Sequence, residues 1–499
     1  MARTPKTKKT SKTTSPSPSH PFDVRNLLVA LACGFGAYLA VSRGVLFTGG
    51  TWQIPLFMGC VVGLSGLATA YAASTAAGIM LVSMALLPPG LPFAAKVGPL
   101  DLVLAAAIAA STSALLSYLS TTMDARARKR LTLVASVLMV LWVLVNLWLP
   151  LFATGLPVRG YGPLNAAQLA EVPQPGKYHY DDEVYRRVYY LMHQGKPYYA
   201  AFREAWFGQE VRPPAISVPM GYRLPTIFWL WRLLPAYSFS IVYLYLAMCS
   251  MGLVSAALIS GQIAGARYAP LAAAAMAAYV MSIGYTSLVT FVDLPAMSIA
   301  LVGIALFARA TVKHSRGALW GAAAAVALAA LTREILVYVA VLAALSSLLE
   351  PAGKRLKAAL PWLAALGVFA VGYSAHVVAV LPLLEPSTGQ MSYTHGGIDF
   401  VLSGVTYYAY AFNGFGYASG ALFLAGVVGA YAAHRSTGWP FAGFATAALV
   451  LPMVAMLRIG NPAIVAGGGH VNYWGMLVVP LALALWPVWV LLVQRKRPS

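Results

Sequence analysis

The chain has 499 residues, of which 60% are hydrophobic and only 10% charged, with mean hydropathy +0.72 and a formal net charge of +20. A soluble domain needs about a quarter of its residues charged to cover its surface, so this composition excludes one and indicates a polytopic membrane protein. The basic residues lie between apolar segments and at the two ends, which is a membrane-topology pattern and argues against a nucleic-acid partner.

Residues 1–25 read as a basic cytoplasmic tail. Its opening, MARTPKTKKTSKTTSPSPSHPF, holds almost nothing apolar and cannot bury enough surface to order. The first apolar run is too long for a secretory signal and is taken as the first span. With about 20 apolar residues needed to cross roughly 30 Å of hydrocarbon as helix, spans are expected near 26–46, 52–71, 73–94, 100–121 and 130–153. A long polar interval, 154–225, follows. Further spans are expected near 238–261, 268–284, 288–309, 317–332, 334–349, 359–384, 414–433, 439–457 and 471–493. The expected fold is all-α and polytopic, with about 14 transmembrane helices and short amphipathic helices in one long extracytoplasmic loop. Its parts are the tail, an N-terminal four-helix membrane module at 26–129 and a main membrane domain at 130–499. Cys33, Cys60 and Cys249 all fall in apolar runs without metal-binding spacing, so they are expected to be reduced packing residues.

The span list can be tested by charge, because short cytoplasmic loops carry the excess of Lys and Arg. If the chain begins inside, the basic clusters DARARKR, GAR, RATVKHSR, EPAGKRLK, HR and QRKRPS all fall on the cytoplasmic side. The polar interval then lies outside, and both termini lie in the cytoplasm. Acidic residues are concentrated in that interval: Glu171, Asp181, Asp182, Glu183, Glu204 and Glu210 are six of only 14 in the chain. Asp181 to Glu183 open a pattern in which Val184, Val188, Leu191 and Met192 recur at helical spacing, closed by Gly195 and Pro197. A helix N-terminus favours ionised carboxylates. A second apolar stretch, 226–235, carries Trp229, Trp231 and Arg232 and is too short to span, which suits an interfacial helix. The same topology brings Asp293 in TFVDLPAM, Arg333 and Glu334 in LTRE, and Arg458 and His470 in RIGNPAIVAGGGHVNYW to the outer level.

Four pieces of this pattern resemble the GT-C superfamily of polytopic glycosyltransferases. They are YDDEVY followed by a helix and GKPYY, the later YRLP before an apolar helix, the acidic opening of VDLPAMSIALVGIALFAR, and ALTREILVYV after a small-residue helix. The resemblance covers about 130–480. It implies a multi-pass protein of the cytoplasmic membrane that moves a sugar from a polyprenyl-phosphate donor to a glycan, lipid or protein acceptor. It further implies that an acidic residue of the outer loop is the catalytic base. Asp181 sits where that base is expected, and Asp182 and Glu183 compete for the role. In the simplest members the acidic loop follows the first span, whereas here about four spans precede it.

The residue types fit such chemistry. A carboxylate can take the acceptor proton, and an arginine fork can stabilise a departing phosphate. Arg333 is the first candidate for the phosphate, with Arg223, Arg458 and His470 behind it. Asp293, with Glu334 beside Arg333, forms a second acidic site. Asp293 is open to a role as second carboxylate or as ligand to a divalent metal, and no other cofactor is indicated. Tyr180, Tyr199 and Tyr222, with Tyr178, Tyr198 and Trp206, offer stacking surfaces for sugar or acceptor. Each assignment has a structural rival: an N-cap paired to Arg186 and Arg187 for the acidic trio, an ion pair for Arg333 with Glu334, an interfacial aromatic belt for the tyrosines. The rival function is a transporter or flippase of a lipid-linked or small polar solute, which should place polar groups at mid-membrane. A polymerase or ligase using lipid-linked donors would instead carry its large outer loop later in the chain.

Overall fold

The computed structural model describes residues 181–207, 217–235, 238–284, 292–386, 396–405, 415–460 and 473–493, with scattered positions between 124 and 148. Among the described residues 89% are helical and there are no strands. Four helices are long and apolar enough to cross a membrane: Ser240–Ile263, Asp293–Lys313, Ala352–Leu383 and Trp439–Arg458. Shorter apolar helices occupy Arg316–Thr332, Glu334–Leu349 and Val479–Val493. The described residues are thus all-helical, with the apolar spans of a membrane protein. The first four predicted spans, and with them nearly all of the module at 26–129, lie outside the described residues, as does the tail at 1–25. In the fifth, the described positions from 130 to 148 are helical, and Trp148 donates its indole N–H to Ser250 Oγ at 2.9 Å.

Three short helices precede the spans. Helix α1 (Asp181–His193) begins at the acidic trio, and α2 (Tyr198–Phe207) follows one turn later. The predicted stripe is the packed face: Val184, Val188, Leu191 and Met192 are all buried. Gly195 ends the first helix at φ +94°, a left-handed conformation that costs a side-chain-bearing residue about 1 kcal/mol or more. The carbonyl of Pro197 accepts from Ala201 N–H and starts the second helix. Helix α3 (Thr226–Leu233) buries Ile227, Phe228 and Trp231 and exposes Trp229, Leu230 and Leu233, the two-sided character of an interfacial helix. Both ring nitrogens of His193 meet carbonyl oxygens at 2.9 Å, those of Tyr189 and Leu234, and so tie α1 to the far end of α3.

The membrane helices run α4 (Ser238–Ile263), α5 (Ala269–Gly284), α6 (Asp293–Lys313), α7 (Arg316–Thr332), α8 (Val337–Ser346) and α9 (Arg355–Val380). Short described turns join α4 to α5 and α6 through to α9, so neighbours within each run are antiparallel and alternate ends share a level. Arg267, Lys313, Arg316 and Lys354 to Lys357 belong to turns at one end. Asp293, Arg333, Glu334 and Glu385 belong to the other, beside the short helices. Helix α10 (Gly397–Val405), α11 (Phe415–Ala432) and α12 (Trp439–Arg458) complete the bundle with α13 (Val479–Leu485).

The last predicted span, 471–493, is not one continuous helix. It is a 3₁₀ turn at Tyr473–Leu477, then α13, a second 3₁₀ turn at Trp486–Trp489, and Val490–Val493. Pro480 and Pro487 open the middle two pieces, and proline supplies no N–H to a continuing α-ladder. Nearly all of this stretch is buried against α11 and α4, which allows the break. A Cβ at Gly429 of α11 would collide with the carbonyl of Leu485, so the two backbones touch directly.

Candidate functional site

Helix α7 ends at Thr332, where Arg333 turns to an extended backbone (φ −142°, ψ 106°) before the 3₁₀ turn Glu334–Leu336 starts. This kink directs the guanidinium into the bundle rather than along it. Arg333 Nε donates to Asp293 Oδ1 at 2.7 Å, and its Nη1 to Glu334 Oε1 at 2.5 Å. Arg333 and Asp293 are each 2% exposed. Asp293 is the first residue of α6, so the carboxylate also lies at a helix N-terminus. A fourth charge completes the group: Arg223 Nη1 lies 3.9 Å from the same Glu334 oxygen. The two guanidiniums and two carboxylates sum to zero, which permits burial that a lone charge would not tolerate.

The two arginines are not equivalent. Arg333 is enclosed, whereas Arg223 keeps 17% of its side chain exposed, at the end of the quartet facing the short helices. Arg223 Nε donates to the hydroxyl of Tyr185, one turn along α1 from the acidic trio, at 2.8 Å. Through this contact the quartet and the acidic helix form one structure. Arg223 stands in an extended stretch, without a helical ladder to receive its carbonyls. Tyr198 O–H donates to its carbonyl at 2.5 Å, and burial raises that phenol's pKa well above the ordinary value, keeping it a donor. Thr226 Oγ1, opening α3, donates to Leu331 O at 2.5 Å and fastens the stretch to α7.

Around these polar groups lies an aromatic core. Tyr185, Tyr198, Phe202, Tyr222 and Phe228 are all buried, with Tyr198 and Phe228 centroids 5.0 Å apart and Phe202 and Tyr222 5.2 Å apart. Tyr222 is 1% exposed and donates its hydroxyl to Leu383 O at 3.1 Å, so its ring serves the packing of the loop against α9. Tyr199 is half-buried, with its hydroxyl 3.0 Å from His376 Nδ1.

The structure thus brings together Asp293, Arg333, Glu334 and Arg223, four of the residues singled out from sequence, and places Tyr199 and Tyr222 beside them. Asp181, Asp182 and Glu183 occupy the first turn of α1, and their side chains lie outside the described residues. Tyr178, Tyr180, His470 and the side chain of Trp206 also lie outside. Arg458, last residue of α12, is exposed, and it is not among the charges that the described residues bring to the quartet. For a metal at Asp293, the described residues supply no cluster of three or more His, Cys, Asp or Glu side chains, and Arg333 occupies its Oδ1.

Sequence reasoning passed over His376. It is buried in α9, a helix whose flanks are otherwise largely exposed, and a histidine inside a long apolar run is itself a signal that it has a partner. Also missed was a groove of about 380 Å³ between α8, α12 and the 3₁₀ turn at Tyr473, lined by Ile335, Tyr338, Leu342, Pro452, Met456 and Trp474 among others. It is almost wholly apolar and begins at the residue after Glu334. No periodicity predicts it, because three elements distant in sequence form its walls. Comparison of the chain with protein-family models, with curated proteins and with solved structures gave no match.

Proposed function

We propose that the chain is a membrane glycosyltransferase that moves a sugar from a polyprenyl-phosphate donor to an acceptor hydroxyl on the extracytoplasmic face, with its basic end and both termini in the cytoplasm. The observation that carries the reading is the junction of an acidic helix start with a neutral quartet of buried charges through Arg223 and Tyr185. Carboxylates for proton abstraction and a partly exposed guanidinium for phosphate stand on adjoining elements, at the ends of the spans. The groove beginning at Ile335 offers an apolar wall of the kind a hydrocarbon chain requires.

In this reading a carboxylate of the trio, Asp181 first, takes the proton of the acceptor hydroxyl. The acceptor oxygen bonds to the anomeric carbon as the bond from that carbon to the phosphate oxygen breaks, and the phosphate leaves with the electron pair. Arg223 meets the developing phosphate charge. Arg333, already held by two carboxylates, fixes Glu334 and the turn. This revises the ranking of the two arginines: exposure favours Arg223 for the phosphate and Arg333 for the frame. One displacement inverts the anomeric centre, and a retaining route would need a second carboxylate about 5 Å away.

Purified protein supplied with several polyprenyl-phosphate sugars and acceptor extracts tests the reading. Transfer should fall by at least about 100-fold in Asp181→Asn, the range expected for a lost general base. Normal transfer by that variant would remove Asp181 from the role. Solute movement in proteoliposomes without any glycosylation would replace the enzyme by the transporter.

A further inference from the structure

We infer that His376 is a positioning residue that holds the backbone at Tyr222 and Arg223, and through it aims the Arg223 guanidinium. The residue is 3% exposed, and its ring uses both nitrogens. Nε2 lies 3.0 Å from the carbonyl oxygen of Tyr222, and Nδ1 lies 3.0 Å from the hydroxyl of Tyr199. A carbonyl can only accept, so the proton of the neutral ring sits on Nε2, and the bare Nδ1 accepts from Tyr199 O–H. One side chain of a spanning helix therefore grips two separate parts of the loop: α2 through Tyr199 and the extended stretch through Tyr222.

The grip falls where the chain has no alternative. Residues 222–224 lie between a 3₁₀ turn and α3, ahead of Pro225, whose carbonyl accepts the first ladder bond of α3 from Trp229 N–H. His376 bonds the carbonyl of Tyr222 and Tyr198 the carbonyl of Arg223, which restricts the rotation on both sides of the Arg223 Cα. The guanidinium then reaches Tyr185 and Glu334 from a fixed base. Ring contacts reinforce the hold: the His376 centroid is 5.6 Å from that of Tyr199 and 6.0 Å from that of Tyr373. That Arg223 is fixed by His376 follows from geometry alone; its consequence for donor binding rests on the reading proposed above.

The test measures Arg223 directly. Phenylglyoxal modification of the full-length protein in detergent is followed by peptide mass spectrometry, with the exposed Arg232 and Arg316 as internal references. His376→Phe keeps a ring and loses both bonds. Arg223 should then react about 10- to 30-fold faster, the shift in local opening expected from two lost hydrogen bonds, while the references stay constant. His376→Gln, whose amide N–H reaches the Nε2 position, should restore most of the protection. His376→Asn, which reaches only the Nδ1 position, should not. Should the phenylalanine variant fail to fold, the Gln and Asn pair decides alone. Equal Arg223 reactivity in the wild type and every folded variant, with or without loss of thermal stability, would reduce His376 to a packing residue and overturn the inference. If transfer is detected, His376→Asn should raise KM for the donor more than it lowers kcat. Faster labelling without any transferase activity would uphold the positioning role and remove only the proposed reaction.

Discussion

Replacing Arg333 by methionine tests the buried quartet most directly. Methionine keeps much of the side-chain length but leaves Asp293 without its guanidinium, and Glu334 with the 3.9 Å contact to Arg223 in place of its short ion pair. At about 4 Å and an effective dielectric near 20, one charge pair is worth about 4 kcal/mol, and breaking a buried pair by removing one partner costs about 3–5 kcal/mol. At about 1–2 °C per kcal/mol for a chain of this size, the melting temperature should fall by roughly 3–10 °C. Cys249 provides the reporter, since it is fully buried and carries a free thiol. In a background with Cys33→Ser and Cys60→Ser, a thiol-reactive fluorophore reports unfolding when it reaches that site. The paired variant Arg333→Met with Asp293→Leu should be less destabilised than Arg333→Met alone, because it removes the stranded carboxylate and leaves Glu334 balanced by Arg223. A single-variant loss below about 1 kcal/mol, or a double variant at least as unstable as the single, would refute the view that mutual neutralisation holds these charges in the bundle.

Arg223→Gln should cost less stability than Arg333→Met, since Arg223 is the more exposed of the two and its carboxylate contact is longer, yet raise KM for a lipid-phosphate donor by about tenfold or more, measured by initial rates. Gly195→Ala should lower stability by about 1 kcal/mol, read by the same thermal assay, because φ there is +94° and alanine resists it. Gly429→Val should lower stability by about 1–3 kcal/mol or more by forcing α11 away from the Leu485 carbonyl. Alkaline pH should also destabilise the loop. Burial raises the pKa of Tyr198, Tyr199 and Tyr222, so the unfolded chain loses these phenolic protons near pH 10 while the folded chain retains them. Stability therefore falls as pH rises above about 10, and Tyr198→Phe should make that fall shallower; an unchanged slope would exclude Tyr198 as a contributor.

Although α6 and α9 sit four or five residues from the expected ranges, hydropathy and spacing alone determined the membrane character, the boundaries of several described helices and the packed face of α1. These are properties of neighbouring residues, since a run of apolar side chains or a recurrence every third or fourth residue is complete within one segment. The ends of α4, α7, α11 and α12 fall within one or two residues of the expected ones for this reason. The proline-broken path at 473–493 was legible in Pro480 and Pro487 but not foreseen, because hydropathy averages over the backbone. Placing Asp293, Arg333 and Glu334 at one level was likewise a consequence of counting antiparallel spans.

Only the tertiary structure decided which charges touch. The bond from Arg333 to Asp293 joins residues 40 apart, and the bond from His376 to Tyr222 joins residues 154 apart. Such distances are closed by helix packing, about which one-dimensional periodicity is silent. Packing also set apart the two arginines that sequence ranked only by motif, Arg333 ahead of Arg223, enclosing Arg333 and leaving Arg223 at the rim. It turned Tyr222 from an open aromatic face into a buried strut. Which residues are charged is written in the chain, whereas the solvent and the partner each charge receives are set by what folds over it.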